Sequence, residues 1–140
     1  SRGGVLDLWR EAEVLEVTDP IMTRFWMTLP EAAAFVLRGL ESPLKRLLVP
    51  KLPSFSLGAL LGVCLSALGK KEFVVTGVRE GEKLHECLIS DEEGRVFRDA
   101  EWCYTLASPP VSGVGEIRSD HFLMSKGELR KKVLKCLKSE

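Results

Sequence analysis

The sequence predicts a mixed α/β fold, and three observations favour this class. A chain of 140 residues with 45% hydrophobic and 29% charged side chains has the composition of one folded domain rather than of a disordered segment. Residues 28–41 combine apolar residues at helical spacing with polar capping residues at their N-terminus. Short strand-like runs bounded by glycine or proline alternate with such helices along the whole chain. We therefore expect helices and strands to share one core.

The N-terminal part of the chain predicts a short helix, a strand and then a longer helix. "VLDLW" after a glycine pair indicates the short helix, and "VLEV" indicates the strand. Thr28 and Glu31 form a capping box for the longer helix, and Pro30 occupies its first turn, where a missing N–H is harmless. We expect one apolar stripe of this helix to be buried. The stripe consists of Ala33, Phe35, Val36, Leu37 and Leu40.

The central part predicts a short strand followed by a second long helix. Pro50 and Pro53 bound the strand in "RLLVPKLPS" and exclude it from the centre of a sheet. "SFSLGALLGVCLSALGKK" has apolar residues at helical spacing, and Gly69 ends the helix. Gly58 and Gly62 each weaken a helix by about 1 kcal/mol relative to alanine. Glycine at these two positions of the helix would be explained if the missing side chain allows close packing against a neighbouring backbone.

The C-terminal part predicts several short strands and one final helix. "EFVVTGV", "KLHECLI", "RVFRD" and "EWCYTL" indicate strands, with turns at "REGE" and "DEEG". "ASPPVSGVGEIRSD" is rich in proline, glycine and serine, which is typical of a loop, and "SKGELRKKVLKCLKSE" indicates a basic amphipathic helix. We expect residues 1–107 to form one lobe, with the loop and helix of residues 108–140 completing the same compact domain.

Charge and cysteine usage exclude several classes of function. The 20 basic and 20 acidic residues give no net charge, which argues against a general nucleic-acid binder. The four cysteines form no CxxC pair, and with only two histidines no zinc-site spacing can be assembled, so we expect no metal site. No apolar run reaches the roughly 20 residues that span a bilayer. We expect a cytoplasmic protein with reduced thiols that binds neither nucleic acid nor membranes.

Three stretches of the sequence resemble a known family. They are "SRGG" at the start, "TDPIMTRFWMTLPEAAAFVL", and "VPKLPS" followed by "TGVREGEKLHECLISDEE". Together they are similar to the C-terminal part of the UDP-N-acetylglucosamine 4,6-dehydratases and epimerases of polysaccharide biosynthesis, which are extended short-chain dehydrogenase/reductases. The resemblance covers residues 1 to about 106. It implies the C-terminal lobe of such an enzyme, although the family's usual "SRGS" is "SRGG" here.

The resemblance also implies which parts of the enzyme to look for. In this family a Rossmann half holds NAD, a Tyr-x-x-x-Lys pair acts on the hexose, and the C-terminal lobe closes over the UDP moiety. The sequence contains no GxGxxG or GxxGxxG after a strand, and its single tyrosine, Tyr104, has Ser108 at the position of the lysine. We therefore expect a lobe without the Rossmann half, with no catalytic residue and no cofactor in this chain. NAD(P) is expected only for the full-length family.

Four residues take the positions of substrate-binding groups by resemblance. Arg79 corresponds to a diphosphate-binding arginine, Arg24 to an arginine near the sugar diphosphate, and Glu82 to an acid that reaches the ribose or the uracil. Arg2 is a further candidate contact. The planar fork of an arginine can hold two phosphate oxygens, which suits this role. Gly81 would supply the turn that lets the glutamate face the ligand.

His85 and Glu86 are secondary candidates. A histidine beside a carboxylate can act as an acid–base pair near neutral pH. Neighbouring residues of a strand point to opposite faces, however, so the two side chains are not expected to touch. The alternative is a structural role for both residues, just as "REGE" can be an ordinary exposed turn.

These observations leave three hypotheses for function. The first is a truncated relative or fragment of a UDP-sugar 4,6-dehydratase/epimerase that binds the UDP-sugar but performs no NAD chemistry. The second is a non-catalytic module that keeps the fold and forms homo-oligomers through apolar surfaces. The third is one half of a split enzyme, whose partner is a separate chain that contains the Rossmann half.

Overall fold

The computed structural model describes residues 4–44, 46–70, 72–107 and 113–138. Within these ranges the helices are α1 (Val5–Glu11), α2 (Leu29–Glu41), α3 (Leu57–Leu68), α4 (Asp91–Gly94) and α5 (Lys126–Lys138). The strands are β1 (Leu15–Val17), β2 (Thr23–Phe25), β3 (Leu48–Pro50), β4 (Ser54–Ser56), β5 (Phe73–Val75), β6 (Cys87–Ile89), β7 (Phe97–Asp99), β8 (Cys103–Leu106) and β9 (Ile117–Arg118). A 3-10 turn covers Ser119–His121. The predicted mixed α/β class is confirmed.

The strands pair in four small sheets within the described residues. Strands β1 and β5 are parallel, while the pairs β2–β4 and β6–β9 are antiparallel. The largest of these sheets has the antiparallel order β3-β8-β7. Strand β3 lies at its edge, with Pro50 opposite Cys103. This confirms the edge position that the prolines predict, because proline lacks the N–H needed for a second neighbour.

Two apolar clusters form the core. The larger cluster lies between α1, α3, α5 and β1, and includes Trp9, Leu60, Leu129 and Val133, all of which are buried. The smaller cluster lies under the β7–β8 and β6–β9 pairs. Its buried members are Ile89, Phe97, Tyr104 and Ile117. The final helix is thus part of the larger core, because its leucine and valine side chains pack against α3.

The capping box of α2 is confirmed, but its predicted burial is wrong. The Thr28 hydroxyl accepts a hydrogen bond from the Glu31 N–H, and the Glu31 carboxylate accepts one from the Thr28 N–H at 2.7 Å. No residue of α2 is buried, and Phe35 alone of the predicted stripe packs on the rest of the lobe, edge-on to Trp102 at 5.3 Å. The helix is attached by a different face from the one that carries most of its apolar side chains. The exposed members of the stripe are Ala33, Val36, Leu37 and Leu40.

The structure also corrects the predicted loop between β8 and α5. Residues 108–112 lie outside the described residues, but the end of this stretch forms β9 and the 3-10 turn that follows it. Ile117 is buried opposite Ile89, and this burial orders a segment whose sequence is typical of a loop. The stretch "DEEG" forms a single helical turn, which Ser90 caps. The first three residues of the stretch predicted as the second long helix, Ser54–Ser56, instead form strand β4, and the helix begins at Leu57.

Hydrogen bonds around Ser119 join three segments that are distant in sequence. The Ser119 and Thr23 hydroxyl oxygens lie 2.6 Å apart, and the Ser119 hydroxyl also contacts the Thr23 carbonyl at 3.1 Å. The Glu86 N–H donates to the Ser119 hydroxyl, and the Ser119 N–H donates to the Glu86 carbonyl, both at 2.9 Å. Ser119 and Thr23 are buried. These bonds fix β2 against the segment before β6, since buried polar groups need partners.

The neighbouring Asp120 is held by a bidentate ion pair. Arg118 Nε and Nη2 donate to the two Asp120 carboxylate oxygens at 2.8 and 2.5 Å. The Arg118 guanidinium holds the pKa of the Asp120 carboxyl well below its usual range. His85 lies on the other side, with its Nε2 atom 3.9 Å from Asp120 Oδ2. The carboxylate thus connects the 3-10 turn to β9 and to the segment before β6.

The two glycines of α3 allow a direct test of close packing. A Cβ atom at Gly58 would lie 3.0 Å from the Pro20 carbonyl oxygen, whereas a Cβ atom at Gly62 would meet nothing within 4 Å. We expect Gly62→Ala to raise the free energy of unfolding by about 0.5–1 kcal/mol, because alanine favours the helix. Gly58→Ala should be less stable than Gly62→Ala by at least about 1 kcal/mol. Urea unfolding measures both, and equal stabilities would contradict the close approach.

The depressed pKa of Asp120 predicts a pH dependence of stability. A carboxyl whose pKa is lower in the folded state stabilises the fold above its unfolded pKa of about 3.9, and this contribution is lost as the pH falls below that value. We expect Asp120→Asn to lower Tm by roughly 1–3 °C near pH 6, and the difference from wild type to shrink from about pH 4 downwards. Thermal unfolding between pH 2.5 and pH 7 checks this. Asp91→Asn removes an exposed i,i+4 partner of Arg95 and is the control, expected to change Tm little.

Candidate functional site

The candidate site lies where β2 meets the segment between β5 and β6. The N–H of Thr23 donates to the Leu84 carbonyl at 3.0 Å, and Thr23 and His85 form a parallel bridge. The Phe25 N–H donates to a Glu86 carboxylate oxygen at 2.8 Å. The strand-like residues of "MTRF" are therefore aligned beside those of "EKLHE". This alignment brings together the two stretches from which the candidate residues were predicted.

A tight turn positions Glu82. The Glu82 N–H donates to the Arg79 carbonyl at 3.0 Å, and Gly81 has a φ of +78°, a backbone conformation that strains other residues. One Glu82 oxygen accepts from Arg24 Nη2 at 3.2 Å, and the other lies 3.4 Å from the Arg79 N–H. A single carboxylate therefore connects the two arginine-bearing segments.

The guanidinium of Arg24 is occupied by groups of the chain itself. Its Nη1 atom donates to the Thr23 carbonyl at 2.8 Å and to the Leu84 carbonyl at 3.3 Å. Its Nη2 atom pairs with Glu82, and its Nε atom lies 3.7 Å from a Glu86 carboxylate oxygen. Two carboxylates beside one guanidinium compensate its charge. The arrangement makes Arg24 an anchor for Glu82 and Glu86, with little positive charge left for a ligand.

Arg79 is in the opposite situation. The residue is exposed, and among the described residues its guanidinium has no hydrogen-bond or ion-pair partner. It lies four residues after the end of strand β5, at the start of the turn that holds Glu82. An unpaired guanidinium next to a positioned carboxylate can bind an anion and a hydroxyl-bearing group at the same time.

The secondary candidates have separate partners. His85 Nδ1 lies 2.8 Å from the Thr23 hydroxyl, and its Nε2 atom faces Asp120. The Glu86 carboxylate instead contacts Arg24 and the Phe25 N–H. Each side chain fastens one segment to another. Arg2, the remaining predicted contact, lies outside the described residues.

Sequence reasoning missed three residues that position this site. Thr23, Ser119 and Asp120 link β2, the segment before β6 and the 3-10 turn. The threonine within the apolar run "IMTRFWM" is the only local signal, because a polar residue in such a run needs a buried partner. The serine and the aspartate lie in a stretch whose composition predicts a loop. Their partners are too distant in sequence for any local pattern to indicate them.

A small cavity between α2 and the β3–β4 connection is a separate feature. Its volume is about 190 Å³, and its walls include the rings of Trp26, Phe35 and Trp102. Pockets that enclose a small-molecule ligand usually measure about 300–1,000 Å³. The Trp26 indole N–H is buried without a hydrogen-bond partner in the described part of the chain. Because its volume of about 190 Å³ is below this range, the cavity is too small for a nucleotide-sugar.

Other chemistry finds little support in the described residues. In the ranges that the structure describes, no three His, Cys, Asp or Glu side chains are arranged to hold a metal ion. Burial raises the pKa of the Cys64 thiol to about 11, so that this thiol is not a nucleophile near neutral pH. No helix in these ranges has the length and apolar character needed to cross a membrane.

Comparison with known proteins identifies relatives that are considerably longer. Over 139 residues the chain is 32% identical to a UDP-N-acetylglucosamine 4,6-dehydratase (inverting) of Campylobacter jejuni, a match that covers 95% of this chain and 40% of that protein. A UDP-glucose 4-epimerase of Rickettsia conorii is 34% identical over 99 residues, covering 66% of this chain and 29% of the epimerase. The chain spans about two fifths or less of the length of these relatives.

A solved structure and a family model agree with these matches. Pen from Bacillus thuringiensis superimposes with a TM-score of 0.83 at 29% identity, over 97% of this chain and 45% of that chain. The model of the family described as "Polysaccharide biosynthesis protein" matches residues 1–108. The resemblance predicted from the sequence is thereby confirmed, and the chain belongs to the polysaccharide biosynthesis protein family.

Proposed function

We propose that this chain is the substrate-binding part of a nucleotide-sugar dehydratase or epimerase, and that the turn carrying Arg79 binds the diphosphate of a UDP-sugar. The observation that carries the proposal is the Glu82 carboxylate, which is held at one oxygen by Arg24 and lies near the Arg79 N–H at the other. The turn is thus fixed before any ligand binds. The names of the matched dehydratase and epimerase support a UDP-sugar as the ligand.

The charges at the turn favour one division of roles. Arg24 is compensated by Glu82 and Glu86, whereas the Arg79 guanidinium is exposed and unpaired among the described residues. An anion gains more from a free guanidinium than from one already shared by two carboxylates. We therefore propose Arg79 as the diphosphate contact and Glu82 as the acceptor for ribose or uracil. Arg24 holds Glu82 in place.

The affinity of this part alone should be weak. A charge-assisted hydrogen bond contributes about 1.5–3 kcal/mol, while association costs about 4–15 kcal/mol in lost translational and rotational freedom. A single arginine and one carboxylate contribute at most about 6 kcal/mol together, which barely exceeds the lower end of this cost, so we expect a Kd in the millimolar range or weaker. Tight binding requires a second surface that encloses the sugar. We also propose that this chain carries no NAD site, because its sequence has neither a glycine-rich fingerprint nor Tyr-x-x-x-Lys. The cytoplasmic location stays a prediction.

Calorimetric titration with UDP and UDP-N-acetylglucosamine tests the binding site. We expect Arg79→Ala to weaken binding at least about tenfold, because it removes the charge-assisted contacts to the diphosphate. Arg98→Ala is the matched control, since Arg98 is an exposed arginine of β7 in a different sheet. Equal affinities of wild type and Arg79→Ala, or equal losses in both variants, would contradict the proposal.

A product assay tests the absence of hydride chemistry. We expect no 4-keto sugar when the chain is incubated with UDP-N-acetylglucosamine and added NAD, because the chain offers no pocket for the hydride carrier. Mass spectrometry of the nucleotide-sugar detects the loss of water that dehydration causes. Product formed in proportion to the amount of chain would overturn this part of the proposal.

A further inference from the structure

The carboxylate of Glu86 has a fixed place beside Arg24. Its Oε2 atom accepts a hydrogen bond from the Phe25 N–H at 2.8 Å, and its Oε1 atom lies 3.7 Å from Arg24 Nε. The backbone of Glu86 is bound as well, because its N–H donates to the Ser119 hydroxyl and its carbonyl accepts from the Ser119 N–H, both at 2.9 Å. Strand β2 on one side and the 3-10 turn on the other therefore position this carboxylate.

The hydrogen bond to Phe25 does not require the charge of this carboxylate. The amide oxygen of a glutamine accepts from a backbone N–H as well. What the ionised group adds is a negative charge beside Arg24, whose guanidinium already forms an ion pair with Glu82 at 3.2 Å. The Glu86 side chain is also 45% exposed, so that its charge faces the surface where a ligand would bind. Hydrogen bonding alone thus leaves the charge of Glu86 unexplained.

The charged groups around the proposed diphosphate contact sum to zero. The turn of residues 79–83, together with Arg24 and Glu86, carries three positive and three negative side chains. The positive ones are Arg24, Arg79 and Lys83, and the negative ones are Glu80, Glu82 and Glu86. The exposed guanidinium of Arg79, which has no partner among the described residues, is therefore offered to an anion on a surface without net charge. A neutral residue in place of Glu86 would give this surface a net charge of +1.

Two ligands that share the same uridine diphosphate differ in charge. In a UDP-sugar both ends of the diphosphate are esterified, so that it carries two negative charges. In free UDP the terminal phosphate has a second ionisation with a pKa of about 6, which gives the diphosphate close to three negative charges above about pH 7. A surface of positive net charge favours the more highly charged of two ligands. At such a surface free UDP would compete strongly with the nucleotide-sugar.

We infer that Glu86 is a specificity-determining residue of the diphosphate site, and that its charge selects the nucleotide-sugar against the free nucleotide. Because this carboxylate cancels the charge of Arg24, the third negative charge of free UDP gains no affinity at the site. Contacts to the sugar then decide which of the two ligands binds better. This inference rests on the proposed function, because it concerns the same diphosphate site.

The size of the effect follows from Coulomb's law. A unit charge about 8–10 Å from the extra phosphate charge, at an effective dielectric constant of about 40–80, changes a dissociation constant roughly two- to sixfold. Salt reduces this effect, since the Debye length is about 10 Å at an ionic strength of 0.1 M. The selection is therefore best measured at low salt.

The test compares free UDP with the methyl ester of its terminal phosphate, which has one negative charge less and carries no sugar. NMR titration of the chain at an ionic strength of about 0.05 M gives both dissociation constants. We expect Glu86→Gln to shift their ratio roughly two- to sixfold towards free UDP, relative to wild type. Glu86→Asp keeps the charge and should retain the wild-type ratio. Glu80→Gln is the matched control, because Glu80 is an exposed acid of the same turn without a contact to Arg24 among the described residues, and its shift should be smaller.

Three results with the variants would overturn the inference while leaving the proposed function intact, because UDP still binds in each of them. They are an unchanged ratio in Glu86→Gln, an equal shift in Glu80→Gln, and a ratio in Glu86→Asp that matches Glu86→Gln. The last result would assign the effect to side-chain shape. If neither ligand binds the wild type, the proposed function fails and the inference fails with it.

A salt series on the wild type keeps the inference testable even if a variant does not fold. At a surface without net charge, the ratio of the two dissociation constants should change by less than about twofold between roughly 0.05 and 0.3 M salt. A wild-type preference for free UDP that falls steeply with salt would reveal a positive site. That result would also overturn the inference.

Discussion

The buried hydroxyl of Ser119 is the contact on which the arrangement of the site depends. It lies against the Thr23 hydroxyl and carbonyl and accepts from the Glu86 N–H, so that one side chain satisfies polar groups of two other segments. A buried donor or acceptor without a partner costs about 1–3 kcal/mol, which makes any other alignment of these segments unfavourable. Strand β2 and the turn that carries Arg79 are consequently placed side by side.

From this alignment follows the electrostatic character of the site. The guanidinium of Arg24, a residue of β2, lies within ion-pair distance of two carboxylates, those of Glu82 in the turn and of Glu86 just before β6. The pairing stabilises the turn and at the same time removes Arg24 as a free cation. Arg79 lies at the start of the same turn, and its guanidinium has no partner among the described residues. Two arginines that look equivalent in the sequence therefore differ in the fold: Arg24 is paired with two carboxylates, and Arg79 has an exposed guanidinium, which we propose as the ligand contact.

The same lobe has a second unsatisfied surface of a different kind. The Arg79 guanidinium, which has no partner in the described part of the chain, suits an anion, whereas α2 exposes several large apolar side chains. The chain covers only 40% of the matched Campylobacter jejuni dehydratase and 45% of Pen. A substrate cleft between lobes gains affinity from enclosing its ligand, which a single lobe cannot do.

The sequence by itself determined the local elements. Thr28 and Glu31 specify the start of α2, Gly69 ends α3, and Pro50 confines β3 to an edge, because each acts on backbone groups within a few residues. Helical periodicity likewise shows that α2 has an apolar face. It does not show what covers that face, since periodicity contains no information about neighbours.

Only the tertiary structure decided which residues meet. Arg24 finds Glu82 at a separation of 58 residues, and Thr23 finds Ser119 at a separation of 96. No local pattern indicates such pairs, and the composition of "IRSD" even predicts a loop where Ile117 is buried in a strand. The partner of a charged or hydroxyl side chain is set by packing of the whole lobe. For that reason the chemistry of Arg24 became evident only in the folded chain, while its position as a candidate was evident from the sequence.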